Sequence, residues 1–583
     1  MKAILLSLAL CASGPSYAQM HTTWSDYGGA PDSAQYSALK QINRANVGHL
    51  KVAWSYPIED SNKYAFGPLV VDGVMYVVAH NNSVVALNAA TGKEIWLWQR
   101  LPAPKVITNR GINYWESPDH SDRRLFFSAD HALNAIDART GKPIESFGKN
   151  GLVDLKEGLG REPQSFKLVQ SLTPGRVFED LLILGSATNE GWGSAPGDIR
   201  AFDVRTGAVR WVFHTIPHEG EFGYDTWPKD AWKSVGGANA WSEMTVDSKS
   251  GIVFIPTASP KYNFYGADRA GANLFGDCLL ALDARTGKRL WHFQMVHHDI
   301  WDYDDATAPK LLTVQHNGKP VEIVAQVSKQ GFIWVFRRDN GESLWSIEER
   351  QVPKSDMPNE HASPTQPFPV KPPPFARQTF TADDVSSLIT DPAERARIKD
   401  QIQSARNEGL FTPPGLRGTV QMPGNNGGAN WGGAAVDPSN GLLFVVSKDL
   451  PCILKLTPAP KVGPDRYESG FGFLSTSSGV SPIAPPWTSM TAYDLNLGVI
   501  KWQVPLGSAH RTRGGPVVTA SGLIFTGTSD KIIRALDEST GKVIFETQLS
   551  APIGGIPAVY EVAGKEYIVF CSAEAYVAFA EIR

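Results

Sequence analysis

The chain has 583 residues, enough for several domains or for one large repeat fold. Forty-two per cent are hydrophobic and 20% charged, the balance of a soluble globular protein. A formal net charge of −4 gives no electrostatic case for nucleic acid or for an anionic membrane surface.

The chain opens on Lys2, an apolar run from Ala3 to Ala12, and a small-x-small ending at Ser16-Tyr17-Ala18. That pattern predicts a secretory signal peptide over 1–18, cleaved after Ala18, and a periplasmic or secreted product. The run is too short to span a bilayer, and no later stretch approaches about 18 consecutive apolar residues, so no membrane span is expected. Beyond the leader stand Cys278, Cys452 and Cys571, an odd number that implies no disulfide framework. There is no Cys-x-x-Cys-His, which excludes a covalent c-type haem from this chain.

Seven segments then share one pattern: VVALNAATGKEIW from Val84, LNAIDARTGKPIE from Leu133, IRAFDVRTGAVRW from Ile199, LLALDARTGKRLW from Leu279, IWVFRRDNGESLW from Ile333, MTAYDLNLGVIKW from Met490 and IRALDESTGKVIF from Ile533. Each alternates apolar and polar residues into a tight turn, which predicts half-buried antiparallel strand pairs. The turn Asp accepts backbone N–H groups two residues on, and the aromatic that usually follows is expected to pack between neighbouring sheets. The 157 positions from Gly341 to Gly498 leave room for another unit, read as ANWGGAAVDPSNGLLFVVSKD with its turn at Asn440-Gly441. Seven units plus this degenerate one predict an all-β fold, an eight-bladed β-propeller forming a single domain over 19–583. LKVAWSYPI near the N-terminus is expected to pair with the last blade and close the ring. Residues 352–409 form an insertion, Pro-rich at first and then helical, with Thr381 as N-cap and Gly409 at the end.

Five loops carry residues suited to chemistry. Arg110 stands among Gly and aromatics in ITNRGINYW, where its fork suits a carboxylate. Glu190 lies in the Gly-rich GSATNEGWG, and Trp241 in GGANAWSEM offers a flat face. HHDIWDYDD, from His297 to Asp305, interleaves acids with His and aromatics, and several Asp oxygens suit a hard cation better than zinc. Lys329 stands at the start of a blade strand in VSKQGFIWVF. Read singly, each also fits a plain role: a surface Arg or Lys, a turn Glu, a core Trp, a solvated acidic loop.

Together the repeats, the opening WSDYGG and YSALKQINRANVGHLKVAW, and these loops resemble the quinoprotein alcohol and glucose dehydrogenases that use pyrroloquinoline quinone. HHDIWDYD, SKQG, FTPPG and PTQPF lean toward the membrane glucose dehydrogenase's catalytic domain and its soluble relatives, and away from methanol dehydrogenase. The resemblance implies that Asp302 is the general base and that Lys329 contacts the quinone oxygens. It implies that Arg110, Ser171 and Thr188 hold the cofactor's carboxylates, that Trp241 stacks beneath its ring, and that Asn430 contacts it. Glu190, Ser259, Asp302 and Asp304 would be the metal positions, for calcium or a lanthanide. A base beside such a cation would be ionised, with a depressed pKa. Ser259 stands where relatives carry Asn, Ala65 where they carry Glu, no vicinal Cys pair precedes Arg110, and IVFCSAEAYVAFA lacks a Gly-rich loop.

The expected reaction is oxidation of a primary or secondary alcohol, polyol or sugar to the carbonyl. Electrons would leave to an external cytochrome c or ubiquinone. The alternative is a non-catalytic propeller scaffold of the same repeat family that binds partner proteins.

Overall fold

In the computed structural model the described residues are 21–60, 62, 64–508 and 512–581. The leader expected over 1–18 lies outside them. Each repeat folds as its pattern requires. In the Asp137 turn the carboxylate accepts N–H groups from Arg139 at 2.8 Å and Thr140 at 3.0 Å, which fixes the reversal between strands.

Eight antiparallel sheets follow one another along the chain. Blades 1 to 8 span 69–98, 113–154, 176–213, 245–294, 310–337, 434–505, 516–548 and 553–581. The strand Leu50–Pro57 pairs antiparallel with Ala575–Glu581, so the first strand of the ring completes the last blade. Eight blades agree with the expected number, but their make-up differs. ANWGGAAVDPSNGLLFVVSKD is not a separate blade, because Leu442–Lys448 pairs directly with Thr488–Asp494 of the Met490 repeat within blade 6. A 39-residue excursion, 449–487, separates those partners and hides their relation in the sequence. The eighth blade is the C-terminal sheet.

The blades lock through tryptophans. Trp211 ends blade 3, and its Nε1 donates to Ala284 O of blade 4 at 3.1 Å. Its ring lies where a Cβ on Gly287 would come within 2.5 Å, and Gly287 also holds φ at +71°. Trp54, Trp96, Trp291, Trp345 and Trp502 press on the turn glycines of their next blades in the same way. The joint from blade 2 to blade 3 has no such ring, since that repeat carries Glu145 at the corresponding place.

An N-terminal arm, 21–37, spans the ring from blade 3 to blade 7. Arg176 of blade 3 donates to Asp26 at 2.7 Å, and Ser33 Oγ donates to Met244 O next to blade 4. Lys310 of blade 5 donates to Ser33 O and Gln35 Oε1, and Gln35 Nε2 reaches Gly432 O and Pro516 O. Tyr36–Ser37 then adds a parallel strand to blade 7.

The insertion contains one α-helix, Pro392–Ser404, capped by Asp391. The helix does not begin at Thr381, which caps only a short 3-10 turn, Ala382–Asp384. Proline disfavours helical geometry in the residue before it and sits well in the first turn, so the helix starts at Pro392. It ends at Ala405, ahead of Gly409. Among the described residues no helix is long and apolar enough to cross a membrane.

Candidate active site

Loops of blades 2 to 6 line a cavity of about 320 Å³. Its wall includes Arg110, Thr188, Glu190, Trp241, Asp302, Asp304, Lys329 and Asn430, eight of the ten residues expected from the sequence. The other two lie elsewhere. Ser171 is buried behind the wall, its Oγ donating to Thr173 O at 2.8 Å. Ser259 faces a buried acidic cluster, with its Oγ on Asp299 and on Asp304 Oδ1 at 2.8 Å.

Arg110 is buried, donates to Thr173 Oγ1 at 2.7 Å, and places its guanidinium 3.9 Å from the Trp431 ring and 4.8 Å from the Trp241 ring. Burial lowers its pKa to about 10, so it stays cationic at neutral pH. Lys329 occupies the turn between Lys319–Val327 and Ile333–Arg337 and does not open a strand. Its Nζ donates to Asp302 O at 2.8 Å, Asp302 Oδ2 at 3.1 Å and Asp304 Oδ2 at 2.9 Å.

Asp302 sits in the left-handed region at φ 60° and is 5% exposed. Its Oδ1 accepts from Asn263 Nδ2 at 2.8 Å. Burial, and next the charge of Asp304, push its pKa up to about 7 against the pull of Lys329 and Lys261. The depressed pKa is expected for a base beside a bound cation; among the protein's own groups, the lysines do not outweigh desolvation and a second carboxylate. Asp304 suffers the same desolvation, but Lys329 and Lys261 overcome it and hold it below the usual carboxylate range. His297 and His298 do not line the cavity. His298 is buried against Glu360 of the insertion at 2.8 Å, which braces the Asp302 loop from behind.

Several wall residues escaped the sequence reading. Lys261 is the single charged side chain between Ile252 and Tyr265, a signal that was there to be used. Its Nζ lies 2.6 Å from Glu190 Oε2. Trp431, next to Asn430, forms an edge-on pair with Trp241, and Phe471 and Phe473 come from the 449–487 excursion.

The donor set fits the cofactor implied by the resemblance, a planar ring bearing three carboxylates. Arg110 Nε, Thr188 Oγ1, Asn425 Nδ2 and Trp431 Nε1 are buried in this wall with no hydrogen-bond partner among the described residues. Unsatisfied buried donors are costly, and an anionic ligand satisfies them.

The implied ion does not fit as well. Asp304 already accepts from Trp241 Nε1 at 3.0 Å, Lys329 Nζ and Ser259 N at 2.9 Å, and the Ser259 hydroxyl, whose one proton is shared between Asp299 and Asp304, lies 2.8 Å from its Oδ1, so most of its lone-pair positions are taken. Asn263 Nδ2 links Asp302 to Glu190, at 2.8 and 3.1 Å, and Lys261 caps Glu190. Ser259 meets this group only through Asp304, to which its backbone N–H donates.

Comparison with known proteins agrees with this architecture. A family model described as "PQQ: Glucose/ethanol/alcohol dehydrogenase, beta-propeller domain" matches residues 24–568. The quinate/shikimate dehydrogenase (quinone) of Acinetobacter baylyi is 29% identical, over 95% of this chain and 77% of its own. The glycerol dehydrogenase large subunit of Gluconobacter oxydans is 29% identical over 94% and 82%. The crystal structure of quinohemoprotein alcohol dehydrogenase from Comamonas testosteroni superposes with a TM-score of 0.72 at 23% identity, covering 97% of this chain and 81% of that one, and so shares the fold. The chain belongs to the pyrroloquinoline quinone-dependent glucose/ethanol/alcohol dehydrogenase β-propeller family, a family of oxidoreductases acting on CH–OH donors.

Proposed function

We propose that the protein oxidises the hydroxyl of a primary or secondary alcohol, polyol or sugar to the carbonyl, in the periplasm, with Asp302 as general base. The observation that carries this reading is Asp302 itself: a buried carboxylate fixed by Lys329 and Asn263 at the wall of a cavity lined by unsatisfied donors. Quinate, shikimate, glycerol and glucose, named in the relatives' descriptions, support a polyhydroxylated substrate.

Pyrroloquinoline quinone, when bound, supplies the hydride acceptor. Arg110, Thr188, Asn425 and Trp431 would hold its polar groups, and the face of Trp241 its ring. Lys329 fixes Asp302 through both its carbonyl and its carboxylate, so the base points at one place. Asp302 takes the hydroxyl proton, and a base whose pKa lies near neutrality does so most effectively at working pH. The electrons leave to an external cytochrome c or ubiquinone.

The test is reconstitution of purified apoprotein with the quinone, followed by a panel of alcohols, polyols and sugars with an artificial dye acceptor. Dye reduction is expected, and Asp302→Asn is expected to lower kcat by about 10²–10⁴-fold while quinone absorbance is kept. No dye reduction with any substrate, or an Asp302→Asn variant at full rate, would defeat this reading.

A further inference from the structure

The three carboxylates at the cavity floor already have cations of their own. Lys329 serves Asp302 and Asp304. Lys261 serves Glu190, with its Nζ at 2.6 Å, and its side chain is only 4% exposed whereas the Glu190 side chain is 60% exposed. The lysine is thus held from within, and the glutamate closes over it from the solvent side.

Its stem is built in as well. Pro260–Lys261 pairs antiparallel with Gly236–Gly237. A Cβ on Gly237 would come within 2.7 Å of Lys261 Cγ, so glycine there leaves the channel through which the stem passes. Asn263, two residues on, fills the remaining gap by donating to both Glu190 and Asp302. Two ammonium groups and one amide thus meet three carboxylates. A divalent or trivalent ion between Glu190 and Asp302 would lie against the Lys261 ammonium. The neighbouring buried carboxylates close enough to share an ion are Asp277, Asp299 and Asp304, of which Asp304 is already paired with Lys329 and Asp299 accepts from Ser259, Trp301 and Tyr303.

We propose that Lys261 is the resident cation of this site, standing where other members of the fold would place a metal ion, and that the protein binds its cofactor without an added metal. In the oxidation proposed above, on which the catalytic part of this inference rests, Lys261 and Lys329 together present positive charge to the cofactor's oxygens. The ion-binding part stands independently of that oxidation.

The test is metal binding by the metal-stripped apoprotein, using terbium luminescence sensitised by the cavity tryptophans and calorimetry with calcium and lanthanum. Wild type is expected to show no saturable uptake. Lys261→Ser removes the ammonium and opens space beside Glu190 and Asp302, and it is expected to bind these ions at least about tenfold more tightly, even at the dielectric of water. Lys261→Arg keeps a cation there and is expected to behave as wild type. Circular dichroism and the thermal midpoint check that each variant is folded. Quinone uptake, followed by absorbance, is expected to be equal in wild type with excess chelator and with calcium. One tightly held ion per wild-type chain, or quinone uptake that requires metal, would overturn the proposal. Failure of quinone uptake under every condition would instead count against the oxidation, and the ion titrations would still decide the role of Lys261.

Discussion

Asp302 is held by neighbours whose charges act on its proton in opposite directions. Burial and Asp304 favour the protonated acid, and Lys329 and Lys261 favour the carboxylate. With its pKa near 7, kcat/KM is expected to fall about tenfold for each pH unit below that value, because only the carboxylate accepts a proton. Lys329→Met removes a cation that favours the carboxylate, so it should move that limb to higher pH as well as lower the rate. A pH–rate profile on both proteins checks this. A flat profile from pH 5 to 9 in wild type would contradict the assignment of Asp302.

The joints between blades are the element on which the fold depends. Gly287 and Gly318 both adopt left-handed backbone, at φ +71° and +73°, but a Cβ meets Trp211 at the first and open space at the second. Alanine at either position carries the same backbone strain. Only Gly287→Ala also drives a methyl into a packed indole, which costs about 1–3 kcal/mol more. The thermal midpoint of Gly287→Ala, at matched scan rate, is therefore expected below that of Gly318→Ala. Equal midpoints would mean that the indole contact adds nothing.

The same local chemistry explains what was legible beforehand. Each repeat's turn and the two strands it joins are contiguous in sequence, so one strand pair in each of seven blades was readable. Blade 6 was misdivided because its pairing spans 39 intervening residues, and no local pattern records that pairing. Arg110, Trp241 and Asp302 were legible because each stands out against its own loop. Lys261 was not weighed, since its partner Glu190 is 71 residues away and only the folded ring shows that they meet. Ser259 was placed by matching a motif, but backbone direction decides which way a side chain faces, and here it faces the buried acids.

At the scale of the whole molecule, the arm joins blades 3, 5 and 7, which are not neighbours in the ring. Lys310 is its anchor, fully buried, with Glu243, Arg176 and Asp32 as the charged groups that act on it. Burial lowers its pKa from 10.5 to about 7. Between those values the unfolded chain binds the proton more tightly, so the contribution of Lys310 to stability shrinks as pH falls from 10.5 towards 7 and is constant below. Lys310→Met abolishes that dependence. The midpoint difference, wild type minus variant, is expected to be larger at pH 9 than at pH 7, and equal differences would refute the linkage.

The arm's position has one more consequence. Because 21–37 is fastened to blades 3, 5 and 7 by side-chain and strand contacts, it acts as a strap across parts of the ring that lie far apart in the chain. A chain lacking 21–37 is expected to unfold at a lower thermal midpoint, because those buried contacts are lost. An unchanged midpoint would mean that the strap bears no strain.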